Sequence, residues 1–270
     1  MRNFLSSLLL PTVLGLGTGC TSTNPTSEAA SPLTGTLVDL TYAFDDSTIY
    51  WPTEEGFVLE HGTAGYTDKG YYYTANSFRS AEHGGTHLDA PVHFAEGKQS
   101  IDAIPLERLI GPAVVVDVTE SALADPDYQI TIADFERWEA AHGPLPDQTI
   151  VLLRTGYGRY WPQRQRYLGT TATGPEAVAH LHFPGLHPEA ARWLVTERHV
   201  KAVGLDTPSI DYGQSTLFET HQTLFQENVP AFENVAHLDQ LPDRGFTVVA
   251  LPMKIRGGSG GPLRIIAIVP

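Results

Sequence analysis

The chain has 270 residues, 41% of them apolar and 18% charged, which is enough for a large core and too few charges for a disordered chain. Its formal net charge of −14, with no basic stripe, excludes a nucleic-acid partner held by charge. The single cysteine, Cys20, excludes an internal disulfide and a thiolate metal site, so any cation must sit on His, Asp and Glu.

At the N-terminus, Arg2 precedes an apolar run over residues 4–16, broken by Pro11 and followed by Gly17-Thr18-Gly19-Cys20. Residues 1–19 read as a secretory signal peptide of the lipoprotein type, with Cys20 as the lipidated first residue of the mature chain. A plain signal with an incidental cysteine is the competing reading. The run is too short and interrupted to span a bilayer, so a lipid anchor is the expected membrane contact. These features place the protein in the bacterial cell envelope, periplasmic or lipid-anchored. Residues 20–34 are rich in Ser, Thr, Ala and Pro and read as a flexible linker. The folded domain is expected over residues 35–270.

Residues 37–41 alternate and predict a strand. Residues 50–80 are dense in aromatics and glycines, including Tyr71-Tyr72-Tyr73, and suggest short strands and loops at a pocket mouth. Residues 113–118 predict a buried strand. Thr131, with Asp134 three residues on, caps a helix over 132–142 that Gly143-Pro144 ends. Residues 149–155 predict another strand. Residues 157–185 form a long connection without a clear period, the kind that is functional or an oligomer contact. Pro188 opens a helix to about Arg198, residues 200–205 predict a strand, and 217–227 a helix. Residues 246–252 and 263–269 predict two strands joined by a glycine-rich loop. Strands alternating with helices, with hairpin-like strands at the ends, predict one α/β domain with a mixed sheet and flanking helices.

The densest chemistry lies in His83-Gly84-Gly85-Thr86-His87-Leu88-Asp89-Ala90-Pro91-Val92-His93. Neutral imidazole and carboxylate are ligands that Zn²⁺ and Mn²⁺ accept. The glycines disfavour a helix through His83 and His87, so a turn leading into an extended stretch is expected. In that geometry His87 and Asp89 project to one face, Pro91 keeps Ala90 extended, and His93 returns to the same neighbourhood. The glycines are expected to let backbone lie close to an ion or substrate.

Extended by Phe94, this run resembles the signature of the cyclase family of metal-dependent hydrolases, which includes bacterial kynurenine formamidases and isatin hydrolases. Gly204-Leu205-Asp206-Thr207-Pro208-Ser209-Ile210-Asp211, Phe232-Glu233-Asn234 with Leu238-Asp239-Gln240-Leu241, Leu251-Pro252-Met253-Lys254 and Gly261-Pro262-Leu263-Arg264 are similar to later blocks of that family. The resemblance covers about residues 35–269. It implies one or two divalent ions, Zn or Mn, on His83, His87, Asp89, His221 and Glu233, with His93 as the catalytic histidine. It also implies a homodimer and a small-molecule amide substrate. Asp89 and Glu233 can bridge two cations, and His93 can move a proton between water and a leaving nitrogen. The expected reaction is hydrolysis of a C–N bond in a linear or cyclic amide, an arylformamide or an isatin-like lactam. Lactone hydrolysis, ring closure or dehydration on the same site, and a non-catalytic metal-binding envelope protein, are the alternatives.

Other constellations are weaker. Ser209, Asp211 and His221 lack the Gly-x-Ser-x-Gly elbow of a serine hydrolase. Residues 257–261 lack the Gly-Lys-Ser/Thr ending of a phosphate loop and read as a flexible hairpin loop. His180, His182 and His187 read as turn-stabilising. Asp206 and Asp211 read as caps of turns. Trp51, Tyr71 and Trp161 are candidates for aromatic lining or for ordinary packing.

Overall fold

The computed structural model describes residues 34–270. The expected signal, Cys20 and all but the last residue of the linker lie outside the described residues. In chain order the strands and helices are β1 (Thr36–Asp39), β2 (Val58–Glu60), β3 (Ala64–Tyr66), β4 (Tyr72–Thr74), β5 (Ser77–Arg79), β6 (His87–Asp89), α1 (Leu106–Leu109), β7 (Ile110–Asp117), α2 (Thr119–Ala124), β8 (Gln129–Ile130), α3 (Ile132–His142), β9 (Ile150–Arg154), α4 (Arg164–Leu168), β10 (Gly185–Leu186), α5 (Pro188–Thr196), β11 (Ala202–Leu205), α6 (Glu219–Gln226), β12 (Ala231–Glu233), β13 (Arg244–Pro252) and β14 (Gly260–Val269).

The main sheet is mixed, as expected, and runs β1-β14-β13-β7-β9-β11-β12-β6. β7, β9, β11 and β12 are parallel neighbours, and the remaining pairings are antiparallel. The sheet closes on itself because β14, besides pairing with β1 and β13, also reaches β6. Its first residues, Gly260, Gly261 and Pro262, pair with Asp89, Leu88 and His87 of β6, while Leu263 to Ile268 pair with β13.

Continuous apolar runs suit strands buried on both faces. Val114, Val116, Val151 and Leu153 point into a layer shared with Phe135 and Trp138 of α3, Ala191 and Leu194 of α5, and Leu224 and Phe225 of α6. Their alternates Ala113, Val115, Ile150 and Leu152 point into the closed sheet against Leu88, Phe232, Val248, Leu263 and Ile265. A fully buried Leu or Phe contributes about 2 kcal/mol of transfer free energy, so both cores hold the β6–β12 seam in place.

Element boundaries move where local backbone dictates. α3 spans the expected residues, with the Thr131 N–H donating to Asp134 Oδ2 at 2.7 Å. α5 stops at Thr196. α6 begins at Glu219 because Phe218 is left-handed (φ 52°). β14 begins at Gly260 because its glycines are paired to β6, so Gly260 and Gly261 are strand where a free loop was expected, while residues 257–259 remain loop. Residues 157–185 are ordered by short helical turns and α4, over a small core of Tyr157, Tyr167, Leu168, Leu181 and Phe183. β2 to β5 make two small ribbons with exposed Tyr66, Tyr72 and Phe78.

Candidate metal centre

The site forms where β6 meets β12. His87 and Asp89 alternate with Leu88 along β6, so both leave one face while Leu88 enters the core. Glu233 of β12 is the in-register partner of His87. His221 lies in the first turn of α6 and reaches down to the same point. His83 arrives on the turn before β6. Two donor sets result, His83/His87/Asp89 and Asp89/His221/Glu233, the donor atoms within each lying within 4.8 Å of one another. Asp89 belongs to both sets.

The turn carrying His83 depends on its glycines. Gly85 has φ 57°, the left-handed region that glycine enters without strain. Side chains at 84 and 85 would collide with the rings of Tyr50 and Phe44. The glycines therefore permit close aromatic packing, and Gly84 also lines the cavity over the cluster. Asn234 ties the segments together. Its side chain donates to Gly85 O at 2.7 Å and accepts from the Tyr167 hydroxyl at 2.9 Å. Its backbone oxygen accepts from Thr86 Oγ1 at 2.7 Å.

The donor chemistry suits a cation. His87 Nδ1–H donates to Gly85 O at 2.9 Å, which leaves the lone pair on Nε2. That Nε2 is buried and has no hydrogen-bond partner, although it lies 3.1 Å from Asp89 Oδ1 and 3.4 Å from Glu233 Oε2. Asp211 Oδ2 holds His221 Nδ1 at 2.5 Å, which turns Nε2 toward Asp89 Oδ2 at 3.2 Å and Glu233 Oε1 at 3.3 Å. His83 Nδ1 lies 2.7 Å from Asp89 Oδ1. Ring nitrogens thus converge on two carboxylates that are nearly inaccessible to water, at 1% and 4% exposure for Asp89 and Glu233. Buried carboxylates need a positive partner, a proton or a metal.

The protonation pattern follows. Burial works against ionising Asp89, but positive charge on His83 and His87 and hydrogen bonds from His221 and His83 hold it well below the usual range. Burial, reinforced by the Asp89 charge, pushes Glu233 up. Burial disfavours protonated His87, yet Asp89 and Glu233 outweigh it and raise the ring to about 9. His221 is raised in the same way, against burial, by Asp211, Asp89 and Glu233. The cluster draws in positive charge. His93 is the exception: burial lowers it to about 4, against the pull of Asp89 and with the help of the charges on His83, His221 and His87. Its ring stacks on His83 at 3.8 Å between centroids. His93 is therefore uncharged beside the donor cluster.

Above the cluster lies a cavity of about 290 Å³, walled by Tyr50, Trp51, Phe94 and Phe218 and floored by His83, His87, Asp89, His93, His221 and Glu233. Such a mix, apolar walls with a few convergent polar groups, is typical of a small-molecule site.

A family model described as putative cyclase matches residues 38–212. The chain belongs to the cyclase family. Isatin hydrolase of Roseibium aggregatum is 32% identical over 218 residues, 78% of this chain and 80% of that protein. Kynurenine formamidase of Salinibacter ruber is 29% identical over 233 residues, 85% of this chain and 96% of that one. The solved structure of isatin hydrolase A from Labrenzia aggregata superposes with a TM-score of 0.77 at 33% identity, covering 87% of this chain and 93% of that chain. This member of the cyclase family is accordingly a metal-binding hydrolase.

In this cyclase-family chain the expected donors His83, His87, Asp89, His221 and Glu233, with His93, all meet at one place. The serine-triad arrangement does not form, because both His221 nitrogens face carboxylates and none is left for Ser209. Asp206 stays structural, accepting from Thr155 N, Thr155 Oγ1 and Gly156 N. His187 caps α5, and His182 pairs with Asp127 at the surface. Trp51 lines the cavity, whereas Trp161 stacks on Tyr42 at 4.2 Å and Tyr71 is exposed. Sequence reasoning missed Asp211's grip on His221, the tie made by Asn234, and the Phe94 and Phe218 walls. The Asp211 contact arises only when α6 docks, and the Asn234 tie only when the end of β12 lies beside the turn at residues 85 and 86, so neither has a local sign in the sequence.

Proposed function

We propose that the chain hydrolyses the C–N bond of an aryl-substituted linear or cyclic amide, an arylformamide or an isatin-like lactam. The observation that carries this is the placement of His93, neutral and stacked on His83, at the floor of an aromatic-walled cavity that also exposes the donor cluster. The named activities of the relatives, isatin hydrolase and kynurenine formamidase, point to the same substrate class.

His83, His87 and Asp89 would hold one divalent cation, and Asp89, His221 and Glu233 a second. Zn²⁺ and Mn²⁺ both suit this His/carboxylate set. Such an ion supplies Lewis acidity, making water a stronger acid and neutralising charge that develops on a carbonyl oxygen. The chain's own groups do the rest. Trp51, Phe94 and Phe218 hold the aryl group and exclude water. His93 takes a proton from the attacking water and returns it to the departing nitrogen. A site that only stored metal needs no such neutral base, which speaks against the non-catalytic alternative.

A homodimer is the proposed assembly, in keeping with the exposed aromatics of the β2–β5 ribbons. Export to the cell envelope, with lipid on Cys20, is the proposed location and rests on the N-terminal pattern alone. Purified protein assayed with an N-formylated arylamine, isatin and simple lactones, with and without added Zn²⁺ or Mn²⁺, tests the activity. Turnover of either amide supports the proposal. Turnover of lactones alone reassigns the reaction, and no turnover of any of them refutes it.

A further inference from the structure

The glycine-rich segment at residues 257–261 is folded against the donor cluster. Gly260 and Gly261 pair with Asp89 and Leu88, and the Ala90 N–H donates to Ser259 O at 2.8 Å. The Gly257 N–H donates to Asp102 Oδ1 at 2.9 Å, which pins the other end. This places the Ser259 side chain between Glu82 and His83. The Ser259 N–H and O–H both donate to Glu82 Oε2, at 2.9 and 2.6 Å. Ser259 Oγ lies 2.9 Å from His83 Nε2.

A serine hydroxyl has one hydrogen. Here it is directed at a carboxylate, the stronger acceptor and the shorter contact. Ser259 Oγ therefore has only lone pairs to offer His83, and Nε2 must carry the hydrogen. In a neutral ring the remaining lone pair is then on Nδ1, the atom 2.7 Å from Asp89 Oδ1. Two lone pairs at that separation repel unless a positive centre lies between them, either a second ring proton, which makes the hydrogen bond to Asp89 described above, or a metal ion. A Cβ at residue 260 would lie 2.5 Å from His83 Cε1, so the ring has this seat only because residue 260 is glycine.

We propose that Ser259 and Glu82 are positioning residues: they lock His83 in the Nε2–H tautomer, which commits Nδ1 to a divalent cation shared with Asp89. This rests on the metal-site reading above. A hydrogen-bonded carboxylate behind a ligating histidine orients the ring and raises its basicity, and loss of such a partner weakens metal binding by about 10–100-fold. In this chain the carboxylate acts through a serine.

Two measurements test the proposal on the full mature chain. Long-range proton–nitrogen correlation on Zn²⁺-loaded protein with ¹⁵N-labelled histidine, assigned with His83→Asn, reads the tautomer directly. A hydrogen on His83 Nε2 supports the relay, and one on Nδ1 overturns it. Zn²⁺ affinity by chelator competition is then compared for wild type, Ser259→Ala, Glu82→Ala and Glu82→Gln. The two alanine variants should bind about 10–100-fold more weakly, while Glu82→Gln, which keeps an oxygen acceptor for the hydroxyl, should retain most of the affinity. Equal affinity in all four overturns the relay and leaves the metal site standing. Wild-type protein that binds no Zn²⁺ overturns the metal reading itself. If Ser259→Ala fails to fold, the wild-type tautomer decides.

Discussion

His87 and Glu233 face each other in register across the antiparallel β6–β12 pair, with Nε2 3.4 Å from Oε2. The relationship makes a strand pairing into half of a metal site. Closely opposed residues on neighbouring strands need no loop to bring them together, so the site inherits the rigidity of the closed sheet.

Asp89 is common to both donor sets, so its loss should disable both. Asp89→Ala is expected to purify with little bound divalent metal and to lose at least about 10³-fold in kcat/KM, the several kcal/mol that a metal supplies to a transition state. Elemental analysis alongside the amide assay checks this. Full metal content in the variant would contradict the shared-ligand assignment.

His93 sits beside the cluster as a neutral ring. His93→Ala is expected to keep its metal and lose about 10²–10⁴-fold in kcat. Full activity in this variant would remove the proton-transfer role.

How much of this was legible in the sequence differs by residue. His83, His87, Asp89 and His93 lie within eleven residues, and their alternation about Leu88 and Pro91 follows from strand period and proline geometry. The parallel strands β7, β9 and β11 were legible as unbroken apolar runs, whereas the three residues of β12 were not. His221 and Glu233 could be added only by resemblance, because their placement depends on β12 pairing with β6, a contact distant in sequence. The segment at 257–261 reads as a loop on composition, and its pairing with β6 depends on closure of the sheet. Phe218's left-handed backbone, which delays the start of α6, has no local signal in an aromatic residue.

Asp211 accepts from the His221 ring and from the backbone N–H of Thr220 and His221, so it both caps α6 and aims the histidine. Asp211→Asn is expected to weaken binding at the Asp89/His221/Glu233 set by about 10–100-fold while leaving the other set filled. Metal stoichiometry measured under chelator competition reads this out. An unchanged second affinity would show that the carboxylate only caps the helix.

Glu139 offers a pH test of the scaffold. Its carboxylate accepts from Arg198 at 2.6 and 2.9 Å and from the Leu145 N–H at 2.9 Å. The Arg198 hydrogen bond, against some burial, holds its carboxyl below the usual range. A depressed folded pKa contributes stability that is complete above the unfolded value, about 4.3, and is lost as pH falls through the folded one. Glu139→Gln is therefore expected to cost about 1–2 kcal/mol at pH 7, with the gap to wild type closing on the acid side. Denaturant melts across pH 3–7 (about the range in which carboxylates titrate) check the sign.

The central claim is that side chains from β6, α6 and β12 hold a divalent cation needed for amide hydrolysis. Dialysis of purified protein against a strong chelator, followed by stepwise return of Zn²⁺ or Mn²⁺ with activity and bound metal recorded together, tests it most directly. The account predicts that activity falls with metal content and returns in proportion to metal rebound. Metal-free protein that still turns over its amide substrate at the original rate would contradict it.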